Sequence, residues 1–218
     1  MSHINFRPWV GKNYLSQGYK GKRILVLGAS HYCLDELVEG GRCFPLCTKE
    51  KMQDECVNQT IYGIRGFVYN YKGSARNEQT YLCFERAIIG KEATQEEREI
   101  FWNGIVFYNY IQFNLDGPRR KIKQEYLAES ELAFKEILEE FMPDCFVIWG
   151  NELYEKLPEW GEHSLLQISD SDSTHVYTYT IQRKRIPGLL VQHPSTPKGK
   201  SWPYWHEVYE KFWKLEVK

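Results

Sequence analysis

The chain has 218 residues, 42% of them hydrophobic and 26% charged, with a formal net charge of −1 at pH 7. That length fits one domain over residues 1–218 with a core of its own. The near-neutral charge excludes binding to nucleic acid by charge alone, but not by local basic loops. No apolar run is long enough to cross a bilayer. The opening MSHINFRPWVGKNYL lacks the uninterrupted hydrophobic stretch of a signal peptide. A cytoplasmic protein with no membrane partner is therefore expected, and its six cysteines default to free thiols.

Residues 22–28 (KRILVLG) are a short apolar run ending in glycine, the pattern of a buried parallel strand. A helix is predicted over 94–102 with Thr94 as its N-cap, followed by a second apolar run at 105–111 (IVFYNYI). Residues 124–141 predict a long helix, and 145–150 (CFVIWG) a third strand. Residues 175–182 (HVYTYTIQ) alternate with period two, as an edge strand or hairpin arm does. A fourth run at 188–192 (GLLVQ) precedes a terminal amphipathic helix over 202–215, where Trp205, Tyr209, Phe212 and Trp213 recur at helical spacing. The alternation of strands and helices predicts an α/β fold: three layers, αβα, around a central, mostly parallel four-stranded sheet.

In open α/β sheets, ligands bind beyond the carboxyl ends of the strands. All four apolar runs end in unusual chemistry: Ala29-Ser30-His31-Tyr32-Cys33, Asn109-Tyr110-Ile111-Gln112, Gly150-Asn151-Glu152 and His193-Pro194-Ser195. A parallel sheet brings these four segments to one rim.

The succession of motifs resembles the uracil-DNA glycosylase superfamily over about residues 22–205. It comprises an apolar strand with Gly and a polar-aromatic turn, a strand carrying Asn, a strand ending in Trp-Gly, and a strand running into His-Pro-Ser. The resemblance implies a glycosylase-like protein that binds or excises a damaged or deaminated, uracil-like base from DNA. Some relatives in that family hold an iron–sulfur cluster, but the cysteine spacing here does not match theirs, so no cofactor is expected. In that family the first turn, often Gly-Gln-Asp-Pro-Tyr or Gly-Glu-Ala-Pro-Gly, positions a water and shapes the base pocket. Here it reads Gly28-Ala29-Ser30-His31-Tyr32. By resemblance Gly28, Ala29, Tyr32 and Asn109 are base-binding: Tyr32 matches the aromatic that excludes a thymine methyl, and Asn109 the amide that reads the uracil edge, with Asn114 as its rival. His193 matches the donor to the base carbonyl, and Ser195 belongs to the loop that grips DNA phosphate. Ala29 and Ser30 stand where the family carries a carboxylate, which puts ordinary water activation in question.

The chemistry can also be stated without the family. Breaking an N-glycosidic bond leaves a cationic sugar and an anionic base, so donors must face the base oxygen and water must reach the sugar. His193 and amides near Ser30 suit the first task; His31, Asp35 or Glu36 could serve the second. The candidate catalytic residues are thus His193, Ser30, His31 and Asp35. Lys198, Lys200, Trp202 and Tyr204 could hold phosphate and wedge a duplex.

Plainer roles compete with each of these. His31 could be a satisfied turn residue, Asn109 a structural hydrogen-bonder, and Trp202 and Tyr204 helix-start packing. The basic loop at 117–123 (GPRRKIK) is more often a solvated surface than a phosphate contact. Cysteines 33, 43, 47 and 56 cluster near His31 without a C-x-x-C pair, so buried thiols are expected and no metal centre. Two other functional classes stay open: a non-catalytic nucleic-acid or nucleotide-binding domain, and a hydrolase of free nucleosides or nucleotides.

Overall fold

The computed structural model describes residues 2–32, 52–73, 76–115, 122, 124–196 and 199–217. In chain order the strands are β1 (Trp9–Val10), β2 (Ile24–Gly28), β3 (His31–Tyr32), β4 (Ile105–Asn109), β5 (Asn114–Leu115), β6 (Cys145–Trp149), β7 (Glu162–Ser169), β8 (Asp172–Ile181) and β9 (Lys184–Val191). The helices are α1 (Asp54–Val57), α2 (Gln59–Asn70), α3 (Arg76–Ile89), α4 (Gln95–Asn103), α5 (Gln124–Phe141), α6 (Asn151–Tyr154) and α7 (Trp202–Leu215). Thr94 caps α4 with a full capping box: its hydroxyl accepts from the Glu97 amide while the Glu97 side chain accepts from the Thr94 amide.

The fold is α/β, but the expected four-stranded sheet is a seven-stranded one, in the order β1-β4-β2-β6-β9-β8-β7. The four expected strands form its parallel centre, β4-β2-β6-β9. Antiparallel β1 extends one edge, and β8 and β7 extend the other. β8 covers the alternating segment, as a hairpin arm inside the sheet; the edge belongs to β7. β9 starts at Lys184, earlier than the apolar run, because its first residues pair only with β8 while Gly188–Val191 also pair with β6. Gln182 and Arg183, both at positive φ, form the two-residue hairpin turn between β8 and β9.

Side-chain alternation sends Ile24, Val26, Ile105, Phe107, Cys145, Val147, Leu189 and Val191 to one face of the sheet, against α2, α3, α4 and α7. Leu25, Leu27, Val106, Tyr108, Phe146, Ile148 and Leu190 face the other way, onto α5. The chain steps from β2 outward to β4 and then to β6 on the other side of β2. The crevice between β2 and β6 is therefore the topological switch point, where such sheets take ligands.

Candidate functional site

The period of two that builds the core also builds the rim. Gly28, Asn109, Trp149 and His193 continue the odd or even series of their strands on the α2/α3 face, at the carboxyl ends of β2, β4, β6 and β9. Gly28 lies opposite Asn109 in the β2–β4 register. A Cβ on Gly28 would fall 2.3 Å from Asn109 Oδ1 and 2.8 Å from Phe107 Cζ, so the Asn109 carbonyl occupies the space glycine leaves. Trp149 is buried between Phe84 and Phe107, each with ring centroids 4.9 Å away, and its Nε1 has no hydrogen-bond partner among the described residues. The Trp149 ring meets the His193 ring edge-on at 5.9 Å. Gly150, with φ of 92°, turns the chain beneath His193; a Cβ there would sit 3.1 Å from that of the histidine.

His193 is fixed by its own loop. Its Nδ1 lies 3.2 Å from the Ser195 backbone nitrogen and 2.8 Å from Ser195 Oγ. An amide N–H can only donate, so Nδ1 is the acceptor and the proton of the neutral ring sits on Nε2. Burial lowers the His193 pKa, and the negative field of Glu152 partly opposes that shift. The rim thus carries a neutral imidazole with its N–H donor at Nε2. Ser195 turns both its amide and its hydroxyl to this ring.

His31 points inward. It is 8% exposed, packs against the Phe6 ring at 4.4 Å, and places Nε2 2.9 Å from Thr60 Oγ1 and 3.2 Å from Asn109 Nδ2. Burial depresses its pKa from 6.5 to about 3. It is therefore neutral at physiological pH and packed away from solvent, a poor position for activating water. Because the unfolded chain binds this proton first, stability should fall as pH drops from about 6.5 to about 3, by up to about 1.4 kcal/mol per pH unit from this group. Above that window the group contributes no pH dependence. Urea unfolding of wild type and His31→Phe between pH 7 and pH 4 checks this: the wild-type slope should exceed that of the variant, and equal slopes would contradict it.

Ala29 and Ser30 are partly buried in the turn, and Tyr32 is 38% exposed on β3. Asn114 pairs in register with His31 through the small β3–β5 ribbon, apart from the β2/β6 crevice; it is buried and its amide has no partner among the described residues. Lys200 is tied to Asp172 by an ion pair, with its Nζ 4.0 Å over the Tyr204 ring. Its charge is thus already engaged. Trp202 opens α7, about one third exposed. With Trp205, Phe84 and Pro194 it lines a 240 Å³ cleft between α3, α7 and the His-Pro-Ser loop. A larger cleft of 740 Å³, lined by Tyr19, Lys20 and Trp213, lies at the amino end of β2, away from the strand-end chemistry. Asp35, Glu36, Lys198, the cysteines at 33, 43 and 47, and all of the basic loop but Ile122 fall outside the described residues. Among the described residues no three His, Cys, Asp or Glu side chains gather as a metal site. Nor is any helix there long and apolar enough to cross a membrane.

Sequence reasoning missed the brace behind the site. Buried Gln112 accepts from the backbone amides of Asn5 and Phe6 through Oε1 and donates through Nε2 to the Asn109 carbonyl oxygen, at 2.7–2.9 Å. This ties the amino-terminal segment, with its Phe6 ring, to the end of β4. Thr60 and Phe6 are distant in sequence from His31 and carry no motif, so nothing in the sequence signals their contact. No protein-family model matches the chain, and no curated protein matches it.

Proposed function

We propose that this chain is a glycosylase-like protein of the uracil-DNA glycosylase type, which takes a uracil-like base at the β2/β6 crevice and releases it from DNA. The observation that carries this reading is the common face of Gly28, Asn109, Trp149 and His193, with an amide at one side and a neutral imidazole N–H donor at the other. In the reaction the bond from sugar C1′ to the base nitrogen breaks and its electron pair stays with the base. Water supplies the hydroxyl to C1′, and the proton it loses balances the charge left on the base. The negative charge spreads onto the base carbonyl oxygen, where the His193 Nε2–H donates. A pre-aimed donor in a dry site stabilises that charge without reorganising at the moment of reaction.

The Ala29-Ser30 turn limits the rate. A hydroxyl can hold a water but brings no negative charge to face the cationic sugar, and missing general-base help costs about two to four orders of magnitude. Release of uracil, hypoxanthine, xanthine and alkylated bases from single- and double-stranded DNA tests the reading. Slow wild-type release is expected, and Ser30→Asp should accelerate it. Fast release indifferent to Ser30→Asp would contradict the role given to the turn. The same missing carboxylate favours a second reading, a binding domain without catalysis; inactivity on every base, in wild type and Ser30→Asp alike, would select it.

A further inference from the structure

His31 has no place in the chemistry proposed above, yet it is buried and neutral, and it touches the Asn109 amide at the rim. Its Nε2 is reached from two sides, by the Thr60 hydroxyl and by the Asn109 NH2 group. The NH2 group can only donate, so Nε2 accepts and the His31 ring proton lies on Nδ1. This tautomer and the amide orientation go together, since a proton on Nε2 would call for the Asn109 oxygen there instead. With Nδ2 turned to His31, Asn109 Oδ1 lies over Gly28, toward β6 and away from the His31 side. At the end of β9, His193 carries its ring proton at Nε2. Asn109 and His193 stand three strand spacings apart, about 14 Å between backbones, and both side chains rise from the same face.

We propose that His31, held by Thr60, is a positioning residue that selects the ligand by locking the Asn109 amide with its oxygen toward the crevice. An acceptor at Asn109 and a donor at His193 match a ring edge that carries an N–H beside a carbonyl. Uracil, hypoxanthine and xanthine have that edge. Cytosine and adenine present a bare ring nitrogen there, which would face the Asn109 oxygen lone pair to lone pair. A rotated amide would reverse the preference, and the His31 contact opposes the rotation. In the motif this turn resembles, proline stands at the matching position and has no side chain able to hold an amide. The inference rests on the nucleobase reading of the rim.

Two measurements separate the inference from that reading. The first needs no ligand: nitrogen NMR of the His31 ring in the intact protein should show the proton on Nδ1 and an acceptor at Nε2, and Asn109→Leu should shift the Nε2 signal. A proton on Nε2 overturns the inference. The second compares binding and release of single-stranded oligonucleotides containing uracil, hypoxanthine, cytosine or adenine. Wild type should favour the first two by at least about tenfold, since a site built around one hydrogen-bond pattern penalises its mismatch. His31→Gln, whose Oε1 can accept from Asn109, should keep most of that ratio, whereas His31→Phe should lose most of it. A purely structural role for His31 would change affinity for all four alike. Should His31→Phe not fold, Thr60→Val carries the test, with a smaller loss of ratio expected. An undiminished ratio in the folded variant overturns the inference. Recognition of none of the four, with the His31–Asn109 contact confirmed, overturns the nucleobase reading and the selecting role together, leaving the contact as a structural one.

Discussion

Glu85→Ala should destabilise the protein by about 3–5 kcal/mol, the cost of breaking a buried ion pair from one side. Glu85 on α3 is fully buried and takes two hydrogen bonds from Arg98 of α4, each 3.0 Å, and a third of 3.0 Å from Trp102 Nε1. The Arg98 guanidinium lies 4.6 Å from the ring centroids of both Phe67 and Tyr71, so it cannot reach water when its partner is lost. Alanine thus leaves an uncompensated buried cation and an unpaired indole N–H. At this chain length that loss corresponds to a fall in Tm of roughly 10 °C. The double change Glu85→Leu with Arg98→Met removes both charges and should recover most of the loss, since apolar replacement of a buried pair is often neutral or better. Denaturant unfolding of the single and double variants decides it: a single-variant loss below about 1 kcal/mol, or no recovery in the double, would contradict the argument. The pair matters to the rim as well, because α3 also carries Tyr81 and Phe84, the rings packed beneath Trp149.

The parallel centre of the sheet was legible because buried parallel strands read as continuous apolar runs, as β2, β4, β6 and the last residues of β9 do. Helices α5 and α7 were legible to the residue. Their apolar stripes recur at helical spacing, and Pro203 near the start of α7 fits the first turn, where its missing N–H costs nothing. α2 was not legible. Its buried positions Thr60, Ile64, Phe67 and Val68 do follow helical spacing, but Gly63 and Gly66 interrupt them and weaken the local preference. β1 is two residues long, and β7 buries only Leu166 well, so neither leaves an apolar pattern to read.

The same contrast holds at the site. Strand ends converge by topology, so Gly28, Asn109 and His193 could be placed on one rim from their runs alone. The partners of His31 could not, because Phe6 and Thr60 reach it through tertiary packing from distant segments. That is why His31 read as a candidate base beside the sugar, when its ring is turned into the protein behind Asn109. Ser195 is the reverse case. It lies in the expected motif, but its amide and hydroxyl both face His193 Nδ1.

His193→Ala should lower base release by roughly a hundredfold or more, because a donor aimed at developing negative charge is worth a few kcal/mol in a dry site. The variant should keep its fold, since the imidazole covers the edge of Trp149 without entering the core. Acid should reproduce part of the loss. The His193 pKa is lowered by burial, so the ring stays neutral at and above neutral pH; only at acidic pH does a proton reach Nδ1, where it opposes the Ser195 amide that holds the ring. Release is therefore expected to be flat through neutral and mildly alkaline pH and to fall on the acid side. The most direct measurement compares base release from single-stranded DNA carrying uracil or hypoxanthine by wild type and His193→Ala. Slow release by wild type, with a loss of about a hundredfold or more in the folded variant, is the predicted result. Equal rates for the two proteins would contradict the site.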